Sequence, residues 1–181
     1  QESVVLDPQE SGDLLALSVD GKGVVMRESD LRSSTQKAAQ KRKQRLSSKL
    51  SKGEKKGSKR MATVAAVYTI EPFERTPEQV EANLMGRLRL VKPQRPRPEN
   101  KRVWASLQKE PKEVIGEVFS EALRRDPKQQ KQWIAVVDGN KTQLDLLRQY
   151  AQKHSIQLTI ILDLMHVLSY LMMSCSYRLS E

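Results

Sequence analysis

Three aspartates each close a short apolar run. Asp20 follows Leu14 to Val19 (LLALSV), Asp138 follows Trp133 to Val137 (WIAVV), and Asp163 follows Leu158 to Leu162 (LTIIL). Runs of this length, bounded by glycine or by residues that start helices, read as buried strands. Each carboxylate is therefore expected at a strand end on the rim of a sheet, where it stays solvated and ionised and can face a ligand. Carboxylates gathered without histidine or cysteine clusters suit a hard, oxygen-preferring divalent ion such as Mg²⁺ or Mn²⁺. Acids held close together repel one another unless a cation neutralises them, so a shared site would be a metal site. Two such ions about 3.5 to 4 Å apart can activate the attacking oxygen and stabilise the leaving one in phosphodiester transfer.

Taken singly, each aspartate also suits a plainer role. Asp20-Gly21 and Asp138-Gly139 are ordinary turn dipeptides, and Asp163 could cap the helix that follows it. His166 lies one helical turn beyond Asp163 on the same face, a position that fits packing or hydrogen bonding better than metal ligation. Three aspartates in this order, on a sheet of the topology below, favour the joint reading.

The elements that must position them begin with Leu14 to Val19. The Gly21-Lys22-Gly23 segment predicts a tight turn into a second strand, Val24 to Met26, and Met61 to Ile70 (MATVAAVYTI) predicts a third. Between them, Ser29 can cap a helix running through Leu31, Ala38, Ala39 and Leu46. Prolines 72, 77, 93, 96 and 98 break the next stretch, leaving a short helix over 77–88 and an extended linker over 91–100. An apolar stripe from Val103, Trp104 and Leu107 through Val114, Ile115, Val118, Phe119, Ala122 and Leu123 predicts a helix. Pro111 sets the first turn of its main portion, and Asp126-Pro127 stops it. Strand 133–137, helix 141–153 with Leu144, Leu147 and Tyr150 inward, strand 156–162 and a helix from 164 then alternate. That alternation implies parallel strands joined by right-handed crossovers. The expected class is α/β: three antiparallel strands, a helix, then parallel strand-helix units, which is the order of the ribonuclease H fold.

Charge is concentrated rather than spread. The 181 residues, enough for one domain with a real core, carry a formal net charge of +10. Residues 31–60 hold twelve of the 32 Lys and Arg but only one of the 22 acids, Glu54, so the rest of the chain is close to neutral. A segment of this composition is either a solvated insertion or an arm for a polyanion. Lys41, Arg42, Lys43, Arg45, Lys55, Lys56, Lys59 and Arg60 are the candidate contacts to a DNA backbone. Each phosphate neutralised would contribute about −0.9 to the slope of log affinity against log salt. The single cysteine, Cys175, excludes an intramolecular disulfide and a Cys-rich zinc site. No apolar run reaches the roughly 18 residues that span a bilayer. A cytoplasmic, nucleoid-associated protein without a membrane partner is the expectation.

DGKGVVMR at Asp20 to Arg27, KRMATVAAVYTIEP at Lys59 to Pro72, WIAVVDGN at Trp133 to Asn140 and ILDLMHVLSYL at Ile161 to Leu171 resemble the transposases of Kra-type bacterial insertion sequences. The resemblance covers most of residues 14–171. It implies an RNase H-like catalytic domain over that range, with a lead-in at 1–13, the basic insertion at 31–60 and the linker at 91–100. It also implies a two-ion Mg²⁺ (or Mn²⁺) site built on Asp, Asp and Glu, with Asp20 as the first acid and Asp138 as the second. Asp163-Leu-Met-His166 is similar to the Asp-x-x-His element of Mutator-like transposases, which makes Asp163 and His166 supports of the site. DNA, as insertion-sequence ends and target, is the implied partner, and homodimerisation of intact relatives stays open. The chain departs from the pattern at its end. The family's glutamate lies on a helix well beyond Asp-x-x-His, and its tryptophan after Tyr-Leu is absent. Residues 172–181 lose the helical apolar pattern. The expectation is a C-terminally incomplete, inactive copy of a transposase. The alternatives are a non-catalytic basic nucleic-acid-binding protein and another RNase H-like nuclease, such as a junction resolvase.

Overall fold

A computed structural model describes residues 11–30, 33, 36, 59–85, 94–169 and 171. Its described residues form an α/β domain around a five-stranded mixed sheet. In chain order the elements are β1 (Leu14–Val25), a 3₁₀ turn (Glu28–Asp30), β2 (Lys59–Ile70), α1 (Pro77–Leu84), β3 (Glu99–Ser106), α2 (Pro111–Arg125), β4 (Gln132–Val137), α3 (Lys141–Lys153) and β5 (Leu158–Leu162). Residues 164–169 are helical. The strands lie in the order β3-β2-β1-β4-β5. β1–β2 and β2–β3 are antiparallel, whereas β1–β4 and β4–β5 are parallel. Among the described residues no helix is long and apolar enough to cross a membrane.

Strand alternation sorts the side chains into two faces. Leu15, Leu17 and Val19 of β1, Ala65 and Val67 of β2, and Trp133, Ala135 and Val137 of β4 form one buried layer. Over it lie Val114, Ile115, Val118, Phe119 and Ala122 of α2, with Leu147 and Ala151 of α3. The α2 positions recur at helical spacing, so one stripe enters the core. Phe119 stacks on Tyr150 at 5.4 Å between ring centroids and tilts against Trp133 at 6.3 Å. Gly116 lets α3 approach α2: a Cβ there would stand 2.8 Å from Tyr150 Oη.

Polar networks hold the ends of these elements. Asp126, fully buried after α2, accepts N–H groups from Gln130 at 2.8 Å and Lys131 at 3.0 Å. Buried Glu121 of α2 is paired with Arg102 of β3 and with Arg124 and Arg125 of its own helix. Arg125 Nη1 in turn donates to the carbonyls of Val67 at 3.2 Å and Asn100 at 2.7 Å. One side chain thus ties α2 to both β2 and β3.

Two sequence expectations are corrected here. Gly21-Lys22-Gly23 is no turn, since β1 runs through it to Val25, paired throughout with β2. Neither glycine has positive φ, which among the described glycines belongs to Gly139 alone. They provide room instead. A Cβ at Gly21 would meet Met61 Cε at 3.2 Å, and one at Gly23 would meet Lys59 Cδ at 3.1 Å. The second correction concerns Glu99–Ser106, which is a strand, so Val103 and Trp104 belong to β3 rather than to a helix. The helix starts at Pro111, after a capping box between Glu110 and Glu113. Three antiparallel strands are present, but their members are β1, β2 and β3.

Smaller differences follow. Of the described part of the expected linker, 94–98 lacks regular structure, whereas Glu99 and Asn100 open β3. The short helix ends at Leu84, and residues 86–93 lie outside the described residues. So do 1–10, 172–181 and, apart from Ser33 and Gln36, which are helical, the stretch 31–58. The helix expected through Leu31, Ala38, Ala39 and Leu46 lies in that stretch, outside the described residues. β5 begins at Leu158 instead of 156, whereas α3 covers the expected 141–153.

Candidate active site

The site is built at the carboxyl ends of the parallel strands. β1 and β4 pair from Leu14↔Gln132 to Ser18↔Val136, and β4 and β5 from Trp133↔Leu158 to Val137↔Leu162. Continued by two residues from Ser18↔Val136 and by one from Val137↔Leu162, this register aligns Asp20, Asp138 and Asp163 in a single row across three neighbouring strands. Adjacent strands lie about 4.8 Å apart. The β4–β5 ladder does reach the row, as Asp163 N donates to Val137 O at 2.9 Å. Because Leu15, Leu17, Trp133 and Ala135 fill the helix-covered face, alternation assigns the three aspartates to the opposite face.

Local sequence sets each carboxylate. Asp20 is exposed inside β1, antiparallel to Val64, at the point where β1 has outrun β4. Its Oδ1 accepts the Gly21 N–H at 2.6 Å. It is therefore no strand tip, which corrects the expectation from the Gly-Lys-Gly segment. Asp138 is half-buried in the β4–α3 turn, and its Oδ1 accepts the Asn140 N–H at 2.9 Å. Gly139, at φ +95°, turns the chain, and Asn140 caps α3 through Gln143 N at 3.3 Å. Asp163 is exposed, and its Oδ1 accepts the Met165 N–H at 2.9 Å. Asp163 O accepts Val167 N at 3.1 Å, so Asp163 caps the last helical segment. His166 is half-buried within that segment.

Two carboxylates on neighbouring strands suit a hard divalent cation. In both Asp20 and Asp138 one oxygen is used by a backbone N–H, and the second can serve as a ligand. Among the described residues no three His, Cys, Asp or Glu side chains are grouped closely enough to hold an ion, so the candidate site consists of the Asp20 and Asp138 pair.

Of the expected backbone-binding cations, Lys59 and Arg60 open β2, with Lys59 exposed and Arg60 half-buried. Lys41, Arg42, Lys43, Arg45, Lys55 and Lys56 lie outside the described residues. Sequence reasoning missed that β1 and β2 continue past the row as a ribbon. No local signal marks it, because Gly21 and Gly23 have the composition of a turn and the side chains that fill the room beside them, Met61 and Lys59, belong to another strand. In comparisons with protein-family models, curated proteins and solved structures, nothing matches the chain.

Proposed function

We propose that this chain forms the sheet of an RNase H-like DNA transposase of the Kra-type insertion-sequence class, acting on phosphodiester bonds with Mg²⁺ or Mn²⁺. The observation that carries the reading is the shared register position of Asp20 and Asp138 on adjacent parallel strands. The strand order β3-β2-β1-β4-β5, with three antiparallel strands before two parallel ones, supports the same fold assignment. Asp20 and Asp138 would hold the cation. When bound, that ion supplies activation of the attacking oxygen and charge stabilisation on the leaving one. Asp163 fixes the start of the final helical segment beside the pair, and His166 follows one turn on, both as supports. DNA is the substrate class that the basic stretch at 31–60 fits.

Thermal unfolding of the full chain during Mg²⁺ or Mn²⁺ titration tests the reading. An ion bound only by the folded protein stabilises it by about 1.4 kcal/mol at ten times its dissociation constant. The stabilisation is expected in the native chain and is lost in Asp20→Ala and in Asp138→Ala.

A second reading has its own observation. All three aspartates accept a nearby backbone N–H, as acids with purely local roles do. On that reading the chain is a non-catalytic basic nucleic-acid-binding protein. Absence of a metal-dependent shift, or an equal shift in both alanine variants, would select it.

A further inference from the structure

β1 and β2 outrun the rest of the sheet on the side of the aspartate row. β4 pairing stops at Ser18, and β3 pairing starts at Thr63. Among the described strands, Lys22–Val25 and Lys59–Ala62 are therefore hydrogen-bonded only to each other, as Lys22↔Ala62, Gly23↔Met61, Val24↔Arg60 and Val25↔Lys59.

Alternation answers which side chains share a face. Antiparallel partners point the same way, so Asp20, Lys22 and Arg60 lie on one face of the ribbon. Gly21, Gly23, Met61 and Lys59 lie on the other, in accord with the closeness of Lys59 Cδ and Met61 Cε to the two glycines. Lys22 follows Asp20 by two residues, about 7 Å along the strand, and is exposed. Arg60 is half-buried, and its Nε is covered without a hydrogen-bond acceptor among the described residues. A buried donor left unpaired in this way asks for an acceptor from elsewhere. Two cations facing the same way beside a carboxylate pair form a seat for an anion that must lie next to the site.

We propose that Lys22 and Arg60 seat a backbone phosphate of duplex DNA at the base of the ribbon, beside Asp20 and Asp138. This inference rests on the nucleic-acid reading above and adds positioning residues to it. Lys59 lies on the other face of the ribbon and is no part of this seat. The contacts are to phosphate, so their loss weakens binding to all duplexes alike.

The test is fluorescence anisotropy of the full chain with a short labelled duplex, across a potassium chloride titration in EDTA. With divalent ions removed, the outcome is independent of whether Asp20 and Asp138 hold a metal, which the thermal titration reads separately. Lys22→Gln is expected to make the slope of log affinity against log salt shallower by about 0.9, and Lys22→Gln with Arg60→Gln by about 1.8. Lys128 is exposed in the loop before β4, at the end of the sheet remote from the ribbon, and Lys128→Gln leaves the slope as in the native chain. An unchanged slope in Lys22→Gln would overturn the proposal, as would an equal change in Lys128→Gln. If Arg60→Gln does not fold, the exposed Lys22→Gln still decides, because both of these outcomes concern single substitutions.

Discussion

Trp133 Nε1 donates to Asp126 Oδ2 at 2.9 Å, and both side chains are buried. The bond joins the end of α2 to the start of β4, the strand whose far end delivers Asp138. It sets the depth at which β4 enters the sheet. Lys131 Nζ continues the tie, donating to the carbonyls of Ser11 and Gly12 at 2.9 Å each, just ahead of β1. The two strands carrying Asp20 and Asp138 are thus fastened at the end remote from the site.

Removing the Asp126 carboxylate leaves the Trp133 indole and the Gln130 and Lys131 N–H groups without this acceptor. The stranded buried Trp133 donor costs about 1–3 kcal/mol and the two part-buried N–H groups less, so Asp126→Ala is expected to lose about 2 kcal/mol or more in urea unfolding. Asp126→Asn keeps one acceptor oxygen and loses less. A loss of only about 0.5 kcal/mol, as surface substitutions give, would show that the network does not anchor β4.

Gly116 and Tyr150 are predicted to be coupled. Tyr150 Oη donates to Lys112 O at 3.2 Å directly over the glycine, and a Cβ at position 116 would press on that oxygen. Gly116→Ala gains helix propensity of about 1 kcal/mol, yet overpacking of about 1–3 kcal/mol opposes it. Gly116→Ala is expected to destabilise the native chain and to be milder on a Tyr150→Phe background. A double-mutant cycle measures the coupling; strict additivity would mean that the helices do not meet there.

Glu121 supplies a pH dependence. Burial pushes its carboxyl up, but hydrogen bonds from Arg125 and Arg102 and the charges of Arg125 and Arg124 outweigh burial, so it titrates below the ordinary glutamate range. A carboxyl depressed by folding adds stability that is present above the unfolded value, about 4.3, and lost as pH falls through the folded one. The stability gap between native chain and Glu121→Gln is therefore expected to be constant near neutrality and to narrow below about pH 4.3. Denaturant unfolding across that acid range provides the measurement, and a gap that stays constant would contradict it.

The second half of the fold was legible because its signals are local. Apolar runs at 133–137 and 158–162 are bounded by Gly139-Asn140 and Asp163, and the residues of α3 recur at helical spacing. β3 escaped because its inward side chains are Arg102, Trp104 and Ser106. Arg102 stays exposed while pairing with buried Glu121, and Trp104 Nε1 donates to Glu117 at 3.2 Å, so hydropathy alone does not mark that face. β1 was cut short because Gly21 and Gly23 have the composition of a turn, and the reason for them lies in Met61 and Lys59 on another strand. The aspartates were each visible at the end of an apolar run. Their sharing one rim was expected from the strand-helix order, whereas the residue-by-residue register that aligns them is contained in no local stretch.

Asp163 separates a capping role from a metal-binding one. Its Oδ1 caps the segment at 164–169 through Met165 N, and Asn can make the same bond while removing the charge. Asp163→Ala is expected to cost about 1 kcal/mol through the lost cap, whereas Asp163→Asn stays close to the native chain. If Asp163 only supports the site, Asp163→Asn also keeps the full Mg²⁺-dependent thermal shift that Asp20→Ala and Asp138→Ala abolish. Loss of that shift in Asp163→Asn, at native stability without metal, would add Asp163, at the end of β5, to the ion's ligands. Only if Asp20→Ala then kept the shift would the cation lie between Asp138 and Asp163, with Asp20 in the local role its Gly21 hydrogen bond describes.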